Sequence, residues 1–111
     1  MLIEATPRDL QSRLALLSGG EHEAGQQMPG PEGATVTYRG TMEYRSVDVA
    51  PVMEFVMLAG STAVGTVIAA WIIDKFRGRT TTIRLNHREV DLDDEGQVRR
   101  IVEDEIEVQK G

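Results

Sequence analysis

Hydrophobic positions are unevenly spread along the chain. From Phe55 to Ile73 (FVMLAGSTAVGTVIAAWII) no ionisable residue occurs, whereas every other stretch of similar length mixes apolar and charged positions. That run is far longer than an ordinary buried strand and predicts one long apolar helix over residues 51–77. Pro51 suits its first turn and Glu54 the positive end of its dipole; Lys75 and Arg77 suit the last turn, with Gly78 just beyond. At helical spacing Ser61, Thr62, Gly65, Thr66, Ala69 and Ala70 form a small-residue face, and Met53, Met57, Val64, Val67, Ile68 and Trp71 a bulky one. Small residues repeated every four positions let another backbone come close, which makes the first face the candidate interaction surface.

The flanking segments have shorter periods. Leu2 to Ala5 predicts a strand. Thr6-Pro7-Arg8-Asp9 then predicts a helix start, with Thr6 as N-cap, and Leu10, Leu14 and Leu17 form one face of that helix up to Ser18-Gly19-Gly20. Residues 21–33 (EHEAGQQMPGPEG) hold too little apolar area to offset ordering and predict a mobile loop, with His22 solvated inside it. Ala34, Val36 and Tyr38 alternate along a strand; Gly40 interrupts, and Thr41 to Arg45 continue the same parity, which predicts either one bulged strand or two short strands meeting at Gly40. Thr80–Leu85 and Glu89–Leu92 predict a hairpin turning at Asn86-His87. Asp94 then caps a helix whose buried stripe is Val98, Ile101, Val102 and Ile106.

Together these elements predict a single α+β domain over residues 1–111. A small mixed sheet would be covered by the first and last helices, around the long central Gly/Ala-rich helix. The hairpin and last helix occupy residues 80–108. Two placements of the long helix stay open: burial within the domain or an oligomer, and a single membrane span with the C-terminal side in the cytoplasm. Strands on both sides favour burial, since a span would put them in different compartments.

Composition narrows the chemistry. A net charge of −6 argues against non-specific nucleic-acid binding. With no cysteine there is no disulfide framework, thiol chemistry or cysteine zinc site. The opening MLIEATPRDL lacks the order of a signal peptide, so a cytoplasmic location is expected, with the inner membrane as the alternative. Asp91-x-Asp93-x-Glu95-Gly96 copies the first half of a calcium loop, but the twelfth position, where a bidentate acid belongs, is Val102. Two histidines in predicted loops leave little for catalysis, so no catalytic, cofactor or metal residue is assigned and no enzyme is expected.

The order of parts resembles a known family. The matching residues are Leu14 to Leu17, the run Ala59-Gly60-Ser61-Thr62-Ala63-Val64-Gly65, then Ala69-Ala70-Trp71-Ile72 with Arg77 and Arg79, and the arms Thr82 to Leu85 and Glu89 to Leu92. In this order they resemble the effector-associated constant component family of bacterial conflict systems, encoded beside variable, often caspase-like or trypsin-like, protease effectors. The resemblance implies a non-enzymatic adaptor or regulator of an effector in anti-phage defence. A homo-oligomer is expected separately, because a helix apolar all round has more surface to bury than one small sheet can cover. The alternative expectation is a small single-span membrane protein, holin-like or a regulatory subunit, that self-associates through the Ser61, Gly65 and Ala69 face.

Overall fold

The computed structural model describes residues 1–17, 24–28, 30–42, 51–60 and 62–110. Among the described residues nine elements follow in order: β1 (Leu2–Pro7), α1 (Leu10–Leu16), β2 (Gln27–Met28), β3 (Ala34–Met42), β4 (Val52–Ala59), α2 (Gly65–Phe76), β5 (Thr80–Leu85), β6 (Arg88–Glu89) and α3 (Glu95–Lys110). The fold is α+β, as expected, and the strands form one sheet in the order β2-β3-β4-β1-β5-β6.

The expected single helix over 51–77 is not formed. Its first half is β4, which lies between β3 and β1, and only its second half is helical. Met53, Phe55 and Met57 point into the core while Val52, Glu54 and Val56 alternate on the other side. Phe55 fixes this register by meeting Tyr38 at 5.5 Å and Phe76 at 5.6 Å between ring centroids. Such tilted and edge-on ring pairs add about 0.5–1.5 kcal/mol beyond burial. At Gly60 the chain leaves the sheet: its N–H donates to the Gly33 carbonyl, and a Cβ built on Gly60 would lie 2.8 Å from that same oxygen. A turn closed by Ala63 N–H to Gly60 O (3.1 Å) leads to Val64, the N-cap of α2.

α2 buries Ile68, Ala69, Ile72 and Phe76. Full burial of each large side chain contributes about 1.5–3 kcal/mol. The C-terminus of α2 behaves as the sequence predicts, with Gly78 at φ +77° just past the C-cap Arg77. Arg79 Nη1 donates to the carbonyls of Lys75 (2.7 Å) and Asp74 (3.2 Å), satisfying acceptors the helix leaves open.

The sheet is antiparallel throughout rather than mixed. The crossover through α2 runs β4 and β5 in the same direction, but β1 is inserted between them and opposes both. β1 also continues to Pro7, so Thr6 and Pro7 are strand residues and cap nothing. Asp9 is the N-cap of α1 instead, accepting from the Ser12 N–H at 2.7 Å. The expected leucine face is displaced as a result: Leu16 and Leu17 are buried, whereas Leu10 is 69 % and Leu14 40 % exposed. Within the expected loop, Gln27 and Met28 form β2 against Thr37 and Val36; His22 and the Gly19-Gly20 helix stop lie outside the described residues, as do Tyr44 and Arg45.

Other expectations hold. β3 shifts register between Tyr38 and Gly40, where Gly40 takes φ +113°. The hairpin turns at Asn86 (φ 50°) and His87 (φ 67°) as expected, but its second arm is the two-residue β6 rather than Glu89–Leu92; beyond it Val90 N–H still reaches the Ile83 carbonyl at 3.1 Å. Asp94 caps α3 by accepting from Gln97 N–H at 3.1 Å, and Val98, Ile101, Val102 and Ile106 are buried. The core is one cluster that takes in Leu16 and Leu17 of α1, the inward residues of the sheet, and the buried faces of α2 and α3. Leu2, Val52 and Val56, on the other side of the sheet, do not belong to it. Among the described residues the helices therefore cover one face only.

Candidate functional site: a groove between two helices

The break at Gly60 redistributes the predicted interaction residues. Ser61 lies outside the described residues, and Thr62 is exposed in the turn before α2. Ala69 is buried, and Gly65 is half-buried where a Cβ would meet Glu103 Cγ at 2.5 Å. Gly65 and Ala69 thus do permit close approach, but to α3 of the same chain. Thr66 and Ala70 stay exposed.

Thr66, Ala69 and Ala70 line a groove of about 490 Å³ beside α3, together with Ile73, Asp74, Arg77, Glu95 and Arg99. Positions 66, 69, 70, 73 and 77 recur every three or four residues, so one stripe of α2 forms its floor. Small side chains there keep the floor low, and the methyls of Ala69, Ala70 and Ile73 keep it apolar. The rim carries both signs. Arg77 Nη2 lies 2.8 Å from Asp93 Oδ1, and Arg99 Nε is 4.0 Å from Glu103 Oε1, an i,i+4 pair on α3. Both pairs are solvent-exposed and contribute at most about 1 kcal/mol each, so either arginine can turn towards a ligand at low cost.

The sequence missed Asp74, Arg77, Glu95 and Arg99 as groove residues because their helices come together only through the fold. The acids of the calcium-like motif have local duties: Asp91 Oδ1 accepts from Asp93 N–H at 2.9 Å, while Asp93 holds Arg77. Among the described residues no group of three or more His, Asp or Glu side chains is placed to hold a metal.

On the opposite flank of α2, the Lys75 ammonium sits 5.6 Å from the Trp71 ring centroid, and Trp71 meets Phe76 edge-on at 6.2 Å. Burial, with Arg79 nearby, lowers the Lys75 pKa from its ordinary value. A partly buried ammonium over an indole is a packing arrangement worth about 0.5–2 kcal/mol. No helix among the described residues is long and apolar enough to cross a membrane. The uncharged run that suggested a span is divided between a strand and a helix of 12 residues.

No protein-family model, curated protein or solved structure matches the chain.

Proposed function

We propose that this protein is a non-enzymatic interaction module that works in the cytoplasm as an adaptor or regulator of a protease-type effector in a bacterial anti-phage conflict system. The observation that carries the interaction reading is the α2–α3 groove, with its low apolar floor at Ala69, Ala70 and Ile73 and its rim of Asp74, Arg77, Glu95 and Arg99. Its volume accommodates a few side chains of a partner helix rather than a whole helix. Apolar anchoring by such side chains inside a polar rim is the usual anatomy of a specific contact. The class of partner comes from the resemblance of the chain to the effector-associated constant component family. Self-association through the small-residue stripe has less to work with, because Gly65 and Ala69 already pack towards α3.

Copurification tests the proposal. The wild-type chain and Ala70→Trp would each be expressed with every protease-type effector encoded beside them. Ala70 is exposed, so the variant fills the groove without disturbing the core. Retention of one effector by the wild type, weakened at least ~10-fold (about 1.4 kcal/mol) in the variant, is the expected result. Retention of none, or equal retention by both, contradicts it.

A further inference from the structure

The sheet face turned away from the helices has an acidic pair bordered by aliphatic residues of β1 and β4 and by Thr6 and Arg84. Glu4 and Glu54 are direct cross-strand neighbours on β1 and β4. Met57 N–H bonds to Met1 O, and Asn86 N–H to Leu2 O, so the backbone groups of Leu2 and, two residues on, Glu4 point towards β5 rather than β4. Glu4 and Glu54 are therefore a non-hydrogen-bonded pair, the geometry in which opposed side chains stand closest. Like charges placed so are destabilising.

Neither carboxylate is neutralised by the next residue of the row. Arg84 stands opposite Glu4 on β5, yet it forms no ion pair with Glu4 or Glu54. Glu4 is only 16 % exposed; its Oε1 is shielded from solvent and has no hydrogen-bond partner among the described residues. His87 Nδ1 lies 3.2 Å from that oxygen, an ion pair only when the imidazole is protonated, on a side chain 75 % exposed. Around the pair stand Leu2, Thr6, Val52 and Val56, with the exposed Leu58 further along β4, and none of them is in the core beneath the described helices.

We propose that this open face is a second docking surface, independent of the groove, for a protein segment that presents an arginine between aliphatic side chains. A guanidinium can bridge two adjacent carboxylates through its fork of donors, and its methylene stem can lie along Val56 and Leu2. Two carboxylates alone leave a divalent cation short of ligands. A second copy of the chain fits less well. Four strands about 4.8 Å apart and about 20 Å long give a footprint of roughly 400 Å², about half of the ~800 Å² per partner that a stable dimer buries. The footprint suits a short segment.

The probe is the peptide acetyl-Val-Arg-Val-amide, titrated into ¹⁵N-labelled protein and followed by amide shifts. The control peptide carries citrulline, which keeps the shape and removes the charge. Saturable shifts at Glu4, Glu54 and Val56 are expected, at least ~10-fold weaker with citrulline, lost in Glu54→Gln and retained in Ala70→Trp. Glu54→Gln should also raise the urea midpoint, since it removes the like-charge pair, so loss of binding is not loss of fold. No saturable shift up to tens of millimolar peptide, equal binding of both peptides, or shifts confined to the α2–α3 groove would overturn the proposal. A concentration-dependent dimer whose contact perturbs the same amides, and which the peptide does not displace, would replace it with self-association.

Discussion

Gly60→Ala has opposite signs in the two accounts of the apolar run. Inside a continuous helix the change would stabilise the protein by about 1 kcal/mol, because alanine is the better helix former. In the folded chain Gly60 leaves the sheet against Gly33, and the new Cβ would sit 2.8 Å from the Gly33 carbonyl oxygen. Ordinary carbon–oxygen contacts begin near 3.3 Å. The atom in the way is backbone, and Gly33 is itself held at φ +77° with its own Cβ position 2.8 Å from Ala63 N, so neither side can give easily. Overpacking of this kind costs about 1–3 kcal/mol. Weakening of the Gly60 N–H to Gly33 O bond adds about 0.5–1.5 kcal/mol, and reduced freedom of the unfolded chain returns about 0.4–1 kcal/mol. The net expectation is a loss of about 2 kcal/mol, which at a urea m-value near 2 kcal/mol/M lowers the midpoint by about 1 M. Gly96→Ala is the matched control, because a Cβ there meets nothing closer than Asp94 Oδ1 at 3.6 Å inside α3. It should stabilise by up to about 1 kcal/mol. A Gly60→Ala midpoint at or above that of the wild type would refute the strand–turn–helix reading.

Three further outcomes are expected. Ile101→Ala should cost about 2–5 kcal/mol because Ile101 lies in the core, while Arg84→Ala on the open face should cost under about 0.5 kcal/mol; equal losses in urea melts would contradict the register of the hairpin. Leu16→Ala should likewise cost about 2–5 kcal/mol and Leu14→Ala clearly less, and the reverse order would restore the leucine face expected from the sequence. The Asp9 carboxyl is held below its ordinary pKa chiefly by the Ser12 N–H bond, so its contribution is present above the unfolded value near 3.9 and is lost as pH falls through the folded one. Asp9→Ala should therefore flatten stability against pH between about 4 and the acid limit, and an unchanged acid limb would contradict the cap.

Legibility followed the strength of the local period. α3 was readable because four apolar positions at helical spacing follow a capping aspartate, and the β5–β6 hairpin because Asn86 can take positive φ. β4 was hidden because only Glu54 marks its outward side: Val56 and Leu58 are apolar there, on a face that none of the described helices covers. Its alternation was thereby erased, and Ala59 onward ran on into α2 without a charged residue. β2 is too short to carry any period. For α1, the cap motif at Thr6-Pro7 was genuine locally but was overridden when β1 paired with β5 as far as Pro7. The groove was half legible. Its floor is a stripe on one helix, visible at helical spacing, whereas its charged rim joins two helices that meet only in the fold.

The break at Gly60 creates both the groove and the open sheet face, and proton–proton contacts test it most directly. In a three-dimensional NOE spectrum, strong Hα–Hα cross-peaks should link Glu4 with Glu54 and Leu2 with Val56, the non-hydrogen-bonded pairs of β1 and β4. Sequential helical contacts between residues i and i+3 should begin only at Gly65. Helical contacts running without interruption from Phe55 through Gly65, with no cross-strand peaks at Glu54 or Val56, would contradict the account.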